Sequence, residues 1–394
     1  ITMALDPLIG QALGANEPVR AYQWWRVGRV VAMLVGFPLV CLAVFVAANL
    51  QQLGIDERHA HESFYYVVAR GPAQFGFLIY FAGRGYLQAL GKTKPLVVAA
   101  VVANAVNLVL DIALVFGDEG LLAMGLPAVG LSPLGGMGVG ITTACSSFVL
   151  AGMVVLGAWH YGPKDREWRG PRLTKRTLVV LGLPIGIATA GESGLFATCG
   201  VLAGQFGAIN SSAHQVGLTM AASAFMVALG VSGASAVRVG KAVGAGEHYA
   251  ARRAGFAGLI VVLAVMAGAA SLFLTMPEAL ARGITNQPDV IDAAMPLIFV
   301  AAAFALFDGT QVVMGSALRG AGDVRAHSLF ALTGYWAVGF PIAMYYAFYL
   351  DYGVIGFWYG FTSGLFTVSV LASARFWWLT GRPIARSETA GSSP

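Results

Sequence analysis

The chain has 394 residues, of which 57% are hydrophobic and only 11% are charged, with a formal net charge of +5. Soluble domains carry about 25% charged residues, so this composition excludes an ordinary soluble protein and indicates an integral membrane protein. The basic residues lie in short segments between apolar runs rather than in one patch, which argues against a nucleic-acid partner. Three cysteines, all inside apolar runs, predict neither disulfides nor a metal site.

Apolar runs follow one another along almost the whole chain. Residues 1–13 are predicted to form a short helical tail that ends at Gly14. Crossing a hydrocarbon core of about 30 Å takes about 20 helical residues, and many of the later runs reach that length. The sequence predicts ten complete spans, at 27–49, 63–89, 95–116, 137–159, 177–207, 211–237, 254–276, 293–317, 327–349 and 354–378.

The distribution of Lys and Arg predicts the orientation of these spans. Alternate loops and the C-terminal segment together hold 21 of the 24 basic residues, and six of them lie in the loop 160–176. The opposite side holds only Arg58 and Arg282, while Arg70 lies inside a span. We therefore expect the loop 160–176 and the C-terminus to be cytoplasmic.

The chain also contains an internal repeat. The segment Gln11–Gly28 aligns with Lys241–Gly258 at an offset of 230 residues, and Tyr86–Lys94 aligns weakly with Ser316–Arg325 at an offset of 231. Each aligned segment follows a span that runs in the same direction, so the halves are predicted to be parallel repeats about an axis along the membrane normal.

The repeat predicts the domain organisation. Two spans precede the aligned segment in the second half, so we expect about 50 further residues before residue 1 and twelve spans in the intact protein. The predicted fold is therefore an all-α integral membrane protein with two six-helix lobes, of which about ten and a half spans are present. Its parts are an N-lobe at 1–159 that lacks its first helix and most of its second, a basic cytoplasmic linker at 160–176, a C-lobe at 177–379 and a disordered tail at 380–394.

Two acidic residues lie inside spans of the second half. Glu192 follows Pro184 by eight residues in the span 177–207, and Asp308 lies in the span 293–317. A bare carboxylate at membrane depth costs about 3 kcal/mol on insertion scales. The pair predicts a shared polar cavity that binds a proton or a monovalent cation, because one of two neighbouring carboxylates ionises with difficulty. The alternative is a structural hydrogen bond between helices.

A polar face in the first half suggests a second site. Asn104, Asn107 and Asp111 are spaced i, i+3, i+7, which places them on one side of a helix. Amide and carboxylate oxygens suit a proton site or a hard cation, and Asp111 favours that hypothesis. Hydrogen bonding between helices explains the asparagines equally well.

Other residues carry weaker signals. Arg70 is expected to extend its side chain to the outer interface. His214 and Gln215 follow a short outer loop and are expected to be hydrated. The Met and Phe residues of the second half are expected in the core or facing lipid, although some could line a soft pocket for a large flat ligand. The chain has no phosphate loop, no G-x-S-x-G and no His or Cys cluster, so we expect no enzyme activity and no cofactor beyond a coupling ion.

Several segments resemble one transporter family. LGLPIGIATAGE (Leu181–Glu192), AHQVGLTMAASAFM (Ala213–Met226), FDGTQVVMGSALRGAGD (Phe307–Asp323) and GGMGVGITTA (Gly135–Ala144) resemble helices of the multidrug and toxic compound extrusion (MATE) transporters, NorM-like branch. The resemblance covers essentially the whole chain. It implies efflux of organic cations and other amphipathic drugs in exchange for H⁺ or Na⁺, by alternating access between two lobes.

The resemblance also implies roles for individual residues. Glu192 and Asp308 would form the coupling site of the C-lobe, including a Na⁺ site, and Asn107, Asp111 and Thr143 would match the polar cluster of the N-lobe. The substrate cavity would include Gln215, Phe304, Gln311 and Met314. The family's first helix supplies a key aspartate to the N-lobe cluster, and that helix is not in this chain.

The implied setting is a monomer in the lipid bilayer of a bacterial plasma membrane, with organic cations as partners and no nucleic acid. Two alternatives stay open. A lipid-linked oligosaccharide flippase of related fold would need a cationic cavity, for which Arg70 is the available mid-span residue. A membrane scaffold or receptor without transport would use the carboxylates for stability alone.

Overall fold

A computed structural model describes residues 2–52, 54, 56–165 and 173–386, which form helices joined by short loops. The α-helices are Leu5–Gly14 (α1), Pro18–Ala48 (α2), Glu57–Arg70 (α3), Ala73–Ala89 (α4), Lys94–Val115 (α5), Asp118–Ala123 (α6), Gly135–His160 (α7), Lys175–Ala203 (α8), Ala208–Gly244 (α9), His248–Thr275 (α10), Pro277–Arg282 (α11), Pro288–Gly320 (α12), Val324–Leu332 (α13), Phe340–Met344 (α14) and Val354–Leu379 (α15). Two π-helical stretches, Thr333–Gly339 and Tyr345–Tyr349, continue α13 and α14.

Nine helices in the described ranges are long and apolar enough to cross a membrane, which confirms an all-α membrane fold. They match nine of the ten predicted spans. The remaining one, 63–89, is not a single helix, because α3 ends at Arg70 and α4 begins at Ala73. Pro72 lies at this break, where its missing N–H removes one helical hydrogen bond.

The chain divides into two compact units. Of the described residues, those at 6–17 and 179–386 form one unit, and those at 2–5 and 18–178 form the other. The short helix α1 thus belongs to the unit that contains the second half of the chain. The predicted tail 380–394 is described only as far as residue 386, and residues 166–172 of the predicted basic linker also lie outside the described ranges.

The internal repeat is visible in the backbone. Glu17 N donates to the carbonyl oxygen of Ala12 at 2.9 Å, and Glu247 N donates to that of Ala242 at 2.8 Å, 230 positions later. These bonds close the same turn after α1 and after α9. Two pairs of positions related by the repeat have positive φ in the turns that follow their helices. These pairs are Asn16 with Gly246, and Gly91 with Gly322. Sequence-related segments therefore adopt the same local structure in both halves.

Helices α1 and α9 pack closely through equivalent glycines. A Cβ on Gly14 would lie 2.0 Å from the carbonyl oxygen of Lys241, and a Cβ on Gly244 would lie 2.1 Å from that of Gln11. Both pairs are related by the offset of 230, so this contact is itself pseudo-symmetric. Each glycine follows another by four residues, the spacing that lets helix backbones approach in membranes.

Replacing Gly244 with Ala should therefore lower the free energy of unfolding by about 1–3 kcal/mol, because the new methyl group meets backbone that cannot move aside. Gly268→Ala is the matched control, since a Cβ there meets no atom within 4 Å. Thermal unfolding of the detergent-purified variants gives the comparison. Equal unfolding temperatures for both variants would contradict the proposed close contact.

The carboxylate of Asp118 holds the loop that precedes α7. It accepts hydrogen bonds from the backbone N–H groups of Val129, Gly130 and Leu131 at 3.0, 3.0 and 3.1 Å. The N–H of Val129 is the largest influence, and together the three donors lower the pKa of Asp118 below its ordinary value of 3.8.

Because the pKa of Asp118 is lower in the folded state, its stabilising effect is fully present above pH 3.8 and is lost as the pH falls through the lowered value. At pH 7, Asp118→Asn should therefore accelerate amide hydrogen exchange at residues 129–131. Glu119→Gln provides the control with a neighbouring acid. Unchanged exchange in Asp118→Asn would show that the loop is held by other contacts.

Candidate functional site

The two acidic residues of the second half come together at one amide. Glu192 lies on α8, and Asp308 and Gln311 lie one turn apart on α12. The Nε2 atom of Gln311 is 3.5 Å from Glu192 Oε1 and 3.4 Å from Asp308 Oδ1. Asp308 is 5% exposed and Gln311 is 3% exposed, while Glu192 is half-buried. The amide donor thus bridges two carboxylates at the long limit of hydrogen bonding.

A cationic residue that the sequence placed in a loop acts on Glu192. Arg319, near the end of α12, interacts electrostatically with Glu192. Its Nη1 atom lies 3.1 Å from His327 Nε2, and its Nη2 atom donates to Ser316 Oγ at 2.6 Å. Since Arg319 only donates, His327 Nε2 is the acceptor, and this ring is neutral. The sequence could have indicated this position of Arg319, because Asp308 and Arg319 are three helical turns apart and so lie on the same face of α12.

The π-helical stretch Thr333–Gly339 brings two further residues to the site. Tyr335 is 1% exposed, and its hydroxyl interacts electrostatically with both Glu192 and Asp308. The indole N–H of Trp336 donates to the carbonyl oxygen of Gly191 at 2.9 Å. The sequence did not predict either residue at the site. It predicts an ordinary α-helix here, and a π-helical turn changes the direction in which the side chains extend.

The polar face of the first half has one partner on α7. The hydroxyl of Thr142 donates to Asp111 Oδ1. Thr143, which the family resemblance implied at this position, instead donates to the carbonyl oxygen of Val139 at 2.8 Å and is half-buried. In the described ranges no hydrogen bond joins Asn107 to Asp111, and Asn104 is exposed. The structure thus pairs Asp111 with the residue beside the predicted one.

The residues implied for a substrate cavity lie in different environments. Gln215 is exposed and borders a cavity of about 420 Å³ with Ser211 and Ser212. Phe304 is buried against Trp358, with ring centroids 5.5 Å apart, and Met314 is fully buried in the core. Gln311 belongs to the acid pair.

His214 is not hydrated as the sequence suggested. It is 2% exposed, and its Nδ1 atom accepts a hydrogen bond from the indole N–H of Trp358 at 3.2 Å. Arg70, in the other unit, is exposed and borders a cavity of about 230 Å³ that Tyr66 and Gln74 also line. Its guanidinium lies 5.9 Å from the Tyr66 ring. The predicted interfacial position of Arg70 stays a prediction.

The fold and this site together define a multi-pass α-helical membrane protein with a pair of interacting acids in its spanning helices. Ionisable groups held at membrane depth in this way mark ion pathways in transporters. The family model described as MatE matches residues 1–113 and 184–345. The chain belongs to the MATE family of membrane transporters.

Relatives and solved structures agree with this assignment. A probable multidrug resistance protein NorM from Pseudomonas putida is 36% identical over 412 aligned residues, covering 100% of this chain and 86% of the relative. One from Bradyrhizobium diazoefficiens is 32% identical, covering 96% and 81%. The eukaryotic MATE transporter AtDTX14 has a TM-score of 0.80 at 22% identity, covering 95% of this chain and 82% of that one. An outward-facing multidrug MATE transporter of the MOP superfamily has a TM-score of 0.82 at 14% identity, covering 97% and 84%. At these identities the structures show the shared fold.

The structure separates the two adjacent threonines of α7. Thr142→Val removes the donor to Asp111 and should destabilise the protein by about 1–3 kcal/mol, since a part-buried carboxylate loses a partner. Thr143→Val removes only a bond to the helix backbone and should change stability by less than about 0.5 kcal/mol. Thermal unfolding of both variants measures the difference. A larger loss of stability in Thr143→Val than in Thr142→Val would contradict Thr142 as the stabilising partner of Asp111.

Proposed function

We propose that this protein is a secondary multidrug antiporter that exports organic cations and other amphipathic drugs in exchange for H⁺ or Na⁺. The observation that carries the proposal is the acid pair Glu192 and Asp308, bridged by Gln311 within membrane-spanning helices. The names of the NorM relatives support drug efflux as the process. An ion gradient is the expected energy source, because the sequence offers no nucleotide-binding motif.

The acid pair supports a cation-exchange mechanism. Two carboxylates at membrane depth repel each other, so binding of one proton or one Na⁺ reduces that repulsion as well as the cost of desolvation. The positive charge of the Arg319 guanidinium acts on Glu192 and opposes a second positive charge there, which would help the pair to release its cation. A cationic drug and the coupling cation would each weaken binding of the other, and this unfavourable coupling is reciprocal.

The negative charge of the acid pair and the aromatic residues near it also indicate which substrates the protein would accept. The acid pair attracts organic cations, while the aromatic residues around it offer apolar contact area. Phe196 and Phe304 meet with ring centroids 6.2 Å apart, and Phe304 lies one turn before Asp308. Phe304 is buried and Phe196 is half-buried, so an amphipathic cation near Asp308 would meet the ring of Phe196 rather than that of Phe304.

The proposed orientation has a cytoplasmic C-terminus in a bacterial plasma membrane. The excess of basic residues on one side supports it. At the C-terminal end of α15, the guanidinium of Arg252 lies 3.2 Å from the Trp377 ring centroid, and that of Arg382 lies 4.5 Å from the Trp378 ring centroid. Such arginine–tryptophan pairs suit a membrane–water interface, where an indole is amphipathic and a guanidinium meets lipid headgroups.

Everted vesicles that hold the protein test the proposal through efflux of a fluorescent organic cation. Glu192→Gln and Asp308→Asn should each abolish gradient-driven efflux while the protein remains in the membrane. Glu278→Gln is the control, because this carboxylate is exposed and pairs with Arg282 at 2.7 Å. Measurements with and without Na⁺ assign the coupling ion.

Unchanged efflux in Glu192→Gln would refute the coupling role of the pair. No transport by well-inserted wild-type protein, together with lower stability of both acid variants, would instead favour a scaffold without transport. Binding of a pyrophosphate lipid that is lost in Arg70→Ala would favour a flippase.

A further inference from the structure

The hydroxyl of Tyr335 faces the acid pair without a completed hydrogen bond among the described residues. The side chain is 1% exposed and its oxygen atom is buried. Both Glu192 and Asp308 interact electrostatically with this hydroxyl, although the contact with Glu192 falls short of full hydrogen-bond geometry. A buried hydroxyl that has no protein partner keeps both of its oxygen lone pairs available to a ligand.

The backbone around Tyr335 is specialised. The stretch Thr333–Gly339 is π-helical, a geometry that is rare and is concentrated at functional sites. It packs into a glycine-lined surface of α15, where a Cβ on Gly364 would lie 2.7 Å from the carbonyl oxygen of Gly334. A Cβ on Gly360 would lie 2.5 Å from the carbonyl oxygen of Gly339. Glycines on α15 thus leave room for the wider turn.

A contact of the residue after Tyr335 attaches the π-helical stretch to α8. The indole N–H of Trp336 binds the carbonyl oxygen of Gly191, which directly precedes Glu192. A Cβ on Gly191 would come within 2.8 Å of Leu332 Cδ2, so glycine permits this approach. The π-helical stretch is therefore attached to α8 at the residue beside the acid.

We propose that the Tyr335 hydroxyl is a third oxygen of the coupling site and contacts the transported monovalent cation together with Glu192 and Asp308. This inference rests on the proposed antiport function. A tyrosine hydroxyl has lone pairs that can bind Na⁺, and it can donate to the carboxylate that stays ionised when a proton binds the other. Gln311 contributes differently, because its amide nitrogen only donates to the carboxylates.

The charged surroundings of the hydroxyl fit this role. The acids come from α8 and α12, and the Arg319 guanidinium acts on Glu192 from the same α12. Two neutral groups lie at the acids: the amide of Gln311, which donates to both, and the hydroxyl of Tyr335. A neutral oxygen ligand adds a contact to the cation without adding negative charge, so the cation can also leave.

Tyr335→Phe tests the proposal because it removes only the hydroxyl. Efflux in proteoliposomes is measured against the concentration of Na⁺ at fixed pH, and against proton concentration without Na⁺. The half-saturating concentration of the coupling cation should rise about tenfold, the scale of one hydrogen bond to a charged group. The maximal rate should remain. Tyr345→Phe is the matched control, since Tyr345 is half exposed on the second π-helical stretch.

A second measurement separates ligation from a structural role. The unfolding temperature of purified Tyr335→Phe without the coupling cation should equal or exceed that of the wild type, because no completed hydrogen bond is lost. The rise in unfolding temperature that the coupling cation produces should be smaller in Tyr335→Phe than in the wild type. When the cation is Na⁺, samples without Na⁺ contain K⁺ instead, so that the ionic strength stays constant.

Half-saturating concentrations that match the wild type would overturn the role of Tyr335 while leaving the antiport function intact. A lower unfolding temperature without cation, at unchanged half-saturation, would make Tyr335 a packing residue. Wild-type efflux that responds to neither Na⁺ nor pH would overturn the proposed function itself, and this inference with it.

Discussion

The cost of removing carboxylates from water governs the second half of this protein. Glu192 and Asp308 lie on spanning helices, and within the part of the chain that the structure describes neither forms a direct ion pair to offset that cost. Neighbouring groups stabilise the two carboxylates in part. Gln311 donates to both acids, and Arg319 lies close enough to act on Glu192. Groups that are only partly stabilised in this way gain most from a cation, which is the physical basis of the proposed ion coupling at this pair.

Close helix packing makes such a site compatible with a membrane fold. Helices in lipid gain little from burying apolar side chains against one another, so association depends on contact and hydrogen bonding. Glycines supply that contact between α1 and α9, and again where α15 receives the π-helical stretch. In the second case the small residues do more than pack, because they admit the wider turn that carries Tyr335 and Trp336.

The two halves of the chain share their backbone turns but differ in the positions of their acidic residues. The turns after α1 and α9 have the same hydrogen bonds and the same left-handed residue, so the repeat fixes the local path of the chain. Asp308 corresponds to Phe77 in the first half, where the polar residue of note is Asp111 on α5, bonded to Thr142. The shared framework therefore does not require an acid at the position of Asp308.

Composition and periodicity alone determined the class, most of the spans, the parallel repeat and the two acids of the second half, because apolar length and isolated charge are properties of local sequence. Tertiary structure decided the rest. It broke the span 63–89 near Pro72, buried His214 against Trp358 and chose Thr142 over Thr143 as the partner of Asp111. It also brought Tyr335 and Trp336 to Glu192 through a π-helical turn, since such contacts depend on helix rotation and side-chain direction, which residue spacing along one helix does not contain.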